Sequence, residues 1–523
     1  MHMFSQYHAT EKLKKLAQHP IDLTQPGSLT PERIQKFSSA ACGFKFLYAT
    51  ERVTEHVMQS LTDLARESNA LNQMKQMQDG EVVNFIHNFP SENRPALHTA
   101  TRDFFENQNP SEKAKEAAHL CLNEINKLKA FMKTIESENR FTDLIMIGIG
   151  GSDLGPRAHF IALQHLKKPN VNIHFISNID PDETALVLRS VNLKKTLVVI
   201  VSKTGTTLET LTNEAIVRNR LEQEKLDPAK HIVTISMPGS PLDNPEKYLE
   251  RFYIWDWIGG RFSTTAMVGG VLLSFALGFD VYWEFLRGAN CMDKATLNMD
   301  VKQNLPLLGA LIGIWNRNFL HYPTLAIIPY SQALTRYPAH IQQLDMESHG
   351  KRIDIYGNTV NYETGPVIWG EPGTNAQHSF FQLLHQGTDV VPVEFIGFTE
   401  SQTGEDFKFE GTTSQEKLLA NLFAQNLALA LGQKNDNPNK VFPGNRPSHI
   451  LLAKQLTPFT LGCLLSYFEH KIAFQGFIWN INSFDQEGVQ LGKVTANKII
   501  ARLANKSSEP YPLGDALLAN LEF

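Results

Sequence analysis

The sequence predicts an α/β protein made of two α/β sandwiches, in which helices flank parallel sheets, followed by a C-terminal arm. The first observation is that apolar, strand-like runs alternate with helix-compatible stretches, which is typical of parallel βαβ units. In the first half these runs are 144–150, 172–177, 196–202 and 231–236. The second observation is that the alternation resumes later, with runs at 324–330, 390–398 and 449–454. The chain has 523 residues, which suits two or three globular units.

The elements follow in order along the chain. The run 144–150 is short and apolar and ends in glycines, as a buried strand does. A helix-compatible stretch, 207–225, follows the third run of the first region. In the second region the stretches predicted as helices are 378–386, 414–431 and 460–479. We expect helices with polar connections before these regions, and an arm from Leu491 onward.

Composition and charge exclude several classes of protein. The chain is 42% hydrophobic and 20% charged, with no bias toward disorder. Its net charge is −5 and its basic residues are not grouped in blocks, so no nucleic-acid binding is expected. An anionic substrate would need a locally positive site rather than a favourable overall field.

Neither a membrane span nor a disulfide scaffold is expected. The uncharged run 262–279 approaches spanning length, but its glycines and hydroxyl residues favour a buried core helix. The N-terminus has no apolar core of the signal-peptide type. The cysteines are far apart in sequence and none lies in a CxxC pair, which indicates a reducing, cytoplasmic location; they are Cys42, Cys121, Cys291 and Cys463.

The first candidate site is the loop Gly148-Ile149-Gly150-Gly151-Ser152-Asp153, which follows a predicted strand. Ligands bind beyond the carboxyl ends of strands in open parallel sheets. Glycines let backbone N–H groups approach a ligand closely, and Ser152 offers a hydroxyl. The loop is not a dinucleotide fingerprint, because its sixth position is Asp153 rather than glycine. A tight turn without a ligand is the alternative.

The second candidate site is the loop from Ser202 to Thr207, which also follows a predicted strand. It holds four hydroxyl side chains and Lys203 in six residues. Thr206 and Glu209 fit a capping box, which predicts that a helix begins here with its N–H groups facing the loop. Hydroxyls, a cation and a helix N-terminus together favour a phosphate group. A capped helix with a polar turn, or an outward-pointing Lys203, are the alternatives.

Four further segments carry chemistry-bearing residues that also have ordinary explanations. Arg261 follows paired glycines and could meet a substrate's charge or lie on the surface. The segment 342–351 is polar enough to be a solvated helix face. His378 lies at a helix start, where a structural histidine is common, and Lys493 could be an ordinary exposed lysine. The sequence has no HExxH or GxSxG motif, so neither a zinc protease nor a serine hydrolase is predicted.

Together these segments resemble the glucose-6-phosphate isomerase (phosphoglucose isomerase) family. The resemblance spans about 350 residues in the family's order. The segments that carry it are GIGGSDLGP (148–156), SKTGTTLET (202–210), GGRFS (259–263), QQLDMESHGK (342–351), GEPGTNAQHSFFQLLHQG (370–387), PGNRPS (443–448) and SFDQEGVQLGK (483–493).

The resemblance implies two sugar-isomerase-type domains in a cytoplasmic homodimer with shared active sites. It assigns residues 1–114 to a helical N-terminal part that joins the large domain. Residues 115–275 form the small, phosphate-binding domain, 276–490 the large domain and 491–523 the arm. The implied reaction is the glycolytic and gluconeogenic interconversion of glucose 6-phosphate and fructose 6-phosphate.

The resemblance also implies roles for individual residues. Glu347 matches the catalytic base and Arg261 the residue beside the developing enediolate. His378 matches the ring-opening residue, which reaches across from the neighbouring subunit, and Lys493 is its partner. The matched substrate- and phosphate-binding positions are Gly151, Ser152, Ser202, Lys203, Thr204, Thr207, Gln343 and Gln486.

The chemistry explains why these residue types are needed. A single carboxylate can take a proton from C2 of an open-chain sugar and return it to C1. A fixed guanidinium stabilises the negative charge of the intermediate, and the phosphate anchors the substrate. We therefore expect no metal and no cofactor. The alternatives are a non-catalytic sugar-phosphate-binding regulator and an isomerase of a related hexose phosphate.

Overall fold

A computed structural model describes residues 4–506 and 509–521. Its strands are β1 (Ser38–Ala41), β2 (Phe44–Leu47), β3 (Val82–Asn84), β4 (Arg94–Pro95), β5 (Asp143–Ile147), β6 (Asn172–Ile176), β7 (Thr196–Val201), β8 (Ile232–Ser236), β9 (Glu250–Tyr253), β10 (Thr324–Pro329), β11 (Val367–Trp369), β12 (Val393–Phe398), β13 (Lys408–Phe409), β14 (Thr412–Thr413) and β15 (Ser448–Ala453).

The α-helices lie before, between and after these strands along the chain. They are α1 (His8–Ala17), α2 (Pro31–Lys36), α3 (Glu55–Glu67), α4 (Ala70–Gln78), α5 (Glu112–Glu138), α6 (Leu154–Ala162), α7 (Pro181–Ser190), α8 (Leu208–Gln223), α9 (Met267–Leu277), α10 (Phe279–Ala295), α11 (Leu305–Ile314), α12 (Tyr337–His349), α13 (Phe381–Gln386), α14 (Ser414–Leu431), α15 (Pro458–Trp479), α16 (Gln490–Leu503) and α17 (Pro512–Leu518).

The first sheet has five parallel strands in the order β6-β5-β7-β8-β9. Every residue of β5, β7 and β8 is buried, as expected for strands covered on both faces. Side chains of β5 and β7 share a core with Val217 and Leu221 of α8. The chain order reverses beside β5, so the gap between β5 and β7 is a topological switch point.

The second sheet has six strands in the order β1-β2-β15-β12-β10-β11. Its four later strands run parallel, whereas β2 is antiparallel to β15 and β1 is antiparallel to β2. The predicted α/β architecture is present, but the expectation of helices alone before residue 115 was wrong. The strands β1 and β2 have four residues each, and SSAA has no apolar alternation, so pairing with β15 rather than local pattern forms them.

The uncharged run around α9 lies inside the fold. All of α9 is buried. The stretch Gly260–Leu277 is long and apolar enough to cross a membrane by length and composition, yet 94% of it is buried. The prediction of a core helix is therefore confirmed.

The chain divides into two compact units, and the second runs from Phe484 to the C-terminus. Within it, α16 and α17 are joined by an ion pair between Arg502 and Asp515, with Nε and Oδ1 2.7 Å apart. The sequence predicts an arm from Leu491, and this unit begins seven residues earlier, at Phe484. No residue of α16 is buried.

Candidate active site

Both candidate loops lie at the switch point of the five-stranded sheet. Ile147 at the end of β5 is in register with Ile200 near the end of β7. The loops Gly148–Asp153 and Ser202–Thr207 follow these two neighbouring strands directly. They therefore leave the sheet side by side, at the edge where ligands bind in doubly wound folds.

The first loop packs against the segment that carries Arg261. Gly150 has φ +57°, a conformation that favours glycine. A Cβ on Gly151 would lie 2.2 Å from the carbonyl carbon of Gly260, so only glycine permits this approach. Ser263 Oγ donates to the Gly260 carbonyl at 2.6 Å and steadies the turn. The loop and the Arg261 segment thus form one surface.

The first loop carries two polar side chains, Asp153 and Ser152, and only Asp153 forms an ion pair within the fold. Asp153 forms an ion pair with Arg157, one turn into α6, with an N–O distance of 2.7 Å. Ser152 ends the short helical turn Gly150–Ser152 and is half-buried. Its hydroxyl is consequently the polar side chain that this loop offers to a ligand.

The second loop pairs its hydroxyls with each other. Ser202 Oγ lies 2.9 Å from Thr207 Oγ1, and Thr204 Oγ1 lies 2.8 Å from Thr206 Oγ1. The capping-box prediction was wrong, because the N-cap is Thr207 and its side chain makes no capping hydrogen bond. The first N–H groups of α8 therefore have no side-chain cap and face the loop, as at an anion site.

Lys203 turns back toward the Arg261 segment. Its Nζ donates to the carbonyl oxygens of Asp256 and Ile258 at 3.2 and 3.1 Å. Burial and the neighbouring Arg94 guanidinium lower the pKa of Lys203 to about 8. Lys203 thereby ties the second loop to the residues just before Gly259, and the outward-pointing alternative does not hold.

Arg261 is the buried centre of the site. It is 2% exposed. Its Nε donates to Ser348 Oγ at 2.8 Å and its Nη2 to the Ser483 carbonyl at 2.6 Å. Its Nη1 lies 3.3 Å from Oε2 of Glu347. The guanidinium is thus fixed on two sides and presented to the carboxylate on a third.

Glu347 reaches this point from α12. Its side chain is 23% exposed, so it remains accessible from outside the fold. Gln343, one turn earlier, donates from Nε2 to Oε2 of Glu347 at 3.1 Å. The same Nε2 would lie 3.2 Å from a Cβ on Gly150, so Gln343 also touches the first glycine loop. The polar segment 342–351 is therefore part of the site rather than only a solvated face.

The remaining predicted residues lie on other segments. His378 is an exposed residue at the end of the turn Asn375–His378, and its ring makes no hydrogen bond to any residue in 4–506 or 509–521. Gln486 precedes a short turn of the C-terminal unit, and Lys493 is an exposed residue of its helix α16. The contacts described above join Gly151, Gln343, Glu347 and Arg261 with both loops.

Sequence reasoning missed the two groups that hold Arg261. Ser348 directly follows the proposed base Glu347 in the sequence, and this position was the one signal that could have identified it. The Ser483 carbonyl is a backbone group and leaves no mark in the sequence. Among the described residues, no group of three or more His, Cys, Asp or Glu side chains is placed to hold a metal ion.

Fold and site together define a class of protein. A doubly wound parallel sheet with hydroxyl- and glycine-rich loops at its switch point is a frame for a phosphorylated ligand. A carboxylate beside a fixed guanidinium adds a base and a stabiliser of negative charge. The class is that of the sugar-phosphate isomerases.

Comparison with known proteins identifies the particular family within this class. The family model described as phosphoglucose isomerase matches residues 47–511. The chain belongs to the phosphoglucose isomerase family. The predicted family, the α/β fold class and the isomerase activity are therefore confirmed.

Individual relatives match over almost the whole chain. The glucose-6-phosphate isomerase of Protochlamydia amoebophila is 61% identical over 99% of this chain and 97% of its own length. That of Chlamydia pneumoniae is 52% identical over 98% of each chain. The crystal structure of a glucose-6-phosphate isomerase from Chlamydia trachomatis has a TM-score of 0.96, with 49% identity and 99% of both chains covered.

Proposed function

We propose that Glu347 is the proton-transferring base with which this chain interconverts glucose 6-phosphate and fructose 6-phosphate. The observation that carries the assignment of the base is the contact between Glu347 and the buried Arg261, 3.3 Å apart at the switch point. Membership of the family supports the reaction. The geometry of the site supports the assignment of each step of the reaction to a particular residue.

Glu347 is suited to moving a proton between C2 and C1. It is a single carboxylate at the end of a rigid helix, partly exposed, and oriented by Gln343. One base on one face of the open-chain sugar can remove the proton from one carbon and return it to the next. The intermediate is a cis-enediol or enediolate.

Arg261 is suited to stabilising that intermediate. Negative charge develops on the sugar oxygens when the proton leaves carbon. A guanidinium already held by Ser348 and the Ser483 carbonyl does not need to reorganise as this charge appears. Arginine also stays charged at any physiological pH.

The two loops are suited to holding the phosphate. Hydroxyls of Ser152, Ser202, Thr204 and Thr207 and the uncapped first turn of α8 supply donors, and Lys203 supplies nearby positive charge. The phosphate takes no part in bond making. Its binding energy instead orients C1 and C2 toward Glu347. Gly151 and Gln343 complete the substrate surface, and family resemblance assigns Gln486 to substrate binding as well.

Ring opening requires a second acid–base pair, which we assign to His378 and Lys493. The imidazole of a histidine can both donate and accept a proton, so it can exchange one with the ring oxygen of the sugar. Lysine supplies a cation or a proton beside it. Family resemblance supports both roles, and the exposure of both side chains leaves them accessible to a ligand.

The chain is further assigned to a cytoplasmic homodimer in which His378 serves the neighbouring subunit's site. Exposed apolar side chains of α16 and α17 support a second copy as their cover; they include Leu491, Val494, Leu503, Leu513 and Leu517. The four free cysteines support a reducing compartment.

The domain boundaries of the family also suit this chain. The five-stranded sheet runs from Asp143 to Tyr253, within the proposed small domain 115–275. The six-stranded sheet takes strands from 38–47 and from 324–453, which supports the joining of residues 1–114 to the large domain 276–490. The arm 491–523 lies within the second compact unit.

A variant of the base tests the mechanism. We expect Glu347→Gln to lower kcat at least roughly 10²-fold, because loss of a general base costs about 10²–10⁴. The dissociation constant for fructose 6-phosphate, measured by calorimetry, should change little. The matched control is Glu405→Gln, at an exposed loop glutamate, which should turn over normally. Near-normal turnover of Glu347→Gln would remove the assignment.

A further inference from the structure

Three cysteines that are far apart in sequence meet in the fold. Cys42 lies in the turn between β1 and β2, Cys291 in α10 and Cys463 in α15. The Sγ atoms of Cys42 and Cys291 are 2.9 Å apart. The Sγ atom of Cys463 donates to the carbonyl of Gly288, one turn before Cys291, at 3.1 Å. Isomerisation of a sugar phosphate has no use for these thiols.

We propose that Cys42 and Cys291 are a reversible oxidation site, at which a hydroperoxide converts the two thiols into a disulfide. A disulfide has sulfurs about 2.05 Å apart, so the pair needs to close by less than about 1 Å. Both side chains are half-buried and remain accessible to a small oxidant, whereas Cys463 is fully buried. This inference rests on the thiols alone and not on the isomerase assignment.

Cys291 is the thiol that reacts first. Hydrogen bonding with the Cys42 and Cys463 thiols lowers its pKa, although burial and Asp293 oppose the effect. Burial raises the pKa of Cys463. Because the thiolate is the nucleophile, Cys291 combines the greatest reactivity with access to solvent.

The chemistry is balanced as follows. The Cys291 thiolate attacks one oxygen of hydrogen peroxide, the O–O bond breaks, and a sulfenic acid and hydroxide form. The Cys42 sulfur then attacks the sulfenic sulfur, the S–O bond breaks, and the disulfide forms with release of water. Overall, two thiols are oxidised by two electrons, and one peroxide is reduced to two waters.

The partner that moves is the hairpin turn rather than the helix. Near Cys291, α10 is fixed because Arg102 donates to both carboxylate oxygens of Asp293 at 2.8 and 2.7 Å. Lys294 also pairs with Asp103 at 2.6 Å. The turn at Cys42 is followed by the exposed Gly43 at the edge of the sheet. The disulfide would therefore fasten the edge hairpin to α10.

Peptide mapping of the peroxide-treated, full-length protein tests this. Trypsin separates the cysteines into the peptides 37–45, 116–127, 288–294 and 455–471. After treatment with hydrogen peroxide and alkylation of the remaining thiols, we expect a cross-link between peptides 37–45 and 288–294 within one chain. Dithiothreitol should reduce this cross-link and release the two peptides. Cys121, buried in α5, should remain a free thiol.

Variants separate the two steps. In Cys42→Ser we expect Cys291 to stop at the sulfenic acid, which dimedone traps, whereas Cys121→Ser should form the cross-link as the wild type does. Turnover in reducing buffer checks that each variant is folded. The proposal is overturned if peptides 37–45 and 288–294 keep free thiols, if 288–294 joins 455–471 instead, or if the cross-link forms only between chains.

Discussion

At the scale of single residues, the site depends on how Arg261 is held. A flexible arginine side chain would lose conformational freedom each time it met a developing charge. Here Ser348 and the Ser483 carbonyl fix the guanidinium in advance, and its side chain is almost wholly buried. Ser348 is itself fully buried. Its role is to position Arg261.

A serine variant tests this positioning role. Ser348→Ala removes the hydrogen bond that Arg261 Nε donates to the Ser348 hydroxyl, and a hydrogen bond to a charged group contributes about 1.5–3 kcal/mol. We expect Ser348→Ala to lower kcat roughly tenfold while KM stays nearly constant, because the loss falls on the transition state. Ser137→Ala, at an exposed serine of α5, is the matched control. A rise in KM at constant kcat would contradict the role.

At the scale of elements, the active site is an arrangement of loops fixed by the sheet. The two polar loops are neighbours because β5 and β7 are neighbours, and the Arg261 segment joins them because Gly151 lies against Gly260. The contact between Gly151 and Gly260 lies outside the strands and the α-helices. Small residues at the crossing set how closely the segments approach.

A pair of glycine variants tests this crossing from both sides. A Cβ on Gly151 would collide with the Gly260 backbone at 2.2 Å, whereas a Cβ on Gly260 would lie 3.9 Å from Gly151 Cα, which is an ordinary contact. We expect Gly151→Ala to destabilise the fold by about 1–3 kcal/mol, as overpacking does. Gly260→Ala should unfold at nearly the wild-type temperature. Thermal unfolding of both variants decides, and equal melting temperatures would contradict the geometry.

Sequence reasoning reached most elements and only part of the site. Apolar runs such as 196–202 located the parallel strands, because strands buried on both faces are apolar throughout. The strands β1 and β2 were not predicted, because they are short and form through pairing with β15. The capping box at Thr206 was wrong because the loop hydroxyls pair with each other. The contact between Arg261 and Glu347 joins segments that are 86 residues apart, which no local pattern encodes.

At the scale of the whole molecule, buried charges join its elements. Glu394 of β12 is fully buried and contacts Lys471 and Tyr467 of α15 and His449 of β15. His449 also lies 2.7 Å from Glu51. Breaking such a buried group by removing one member is strongly destabilising. This group of buried charges therefore fixes α15 on the six-stranded sheet.

This buried group makes stability depend on pH. Burial alone would lower the pKa of His449, but the carboxylates of Glu394 and Glu51 raise it above its ordinary value. The folded state then binds the proton more tightly than the unfolded chain, whose histidines titrate near about 6.5. The stabilisation is fully present below that pH and is lost as pH rises through the folded pKa.

We therefore expect the free energy of unfolding to fall between about pH 6 and 8 through this residue. Urea unfolding at both pH values should show a smaller fall in His449→Gln than in the wild type, whatever its overall stability. His19→Gln, at an exposed histidine, should show the same fall in the free energy of unfolding with pH as the wild type. If the free energy of unfolding fell equally with pH in all three proteins, the role of His449 would be contradicted.

The largest-scale question is whether one active site uses residues from two chains. If His378 serves the neighbouring subunit, a mixed dimer of His378→Ala and Glu347→Gln chains contains one site with both residues intact. Random mixing after unfolding and refolding then restores about a quarter of wild-type activity from two inactive proteins, since half the dimers are mixed and each has one working site. If both residues came from one chain, no combination would contain an intact site, and the mixture would stay as inactive as its components. Refolding each variant alone controls for reversion, so the recovered turnover measures the sharing of the site directly.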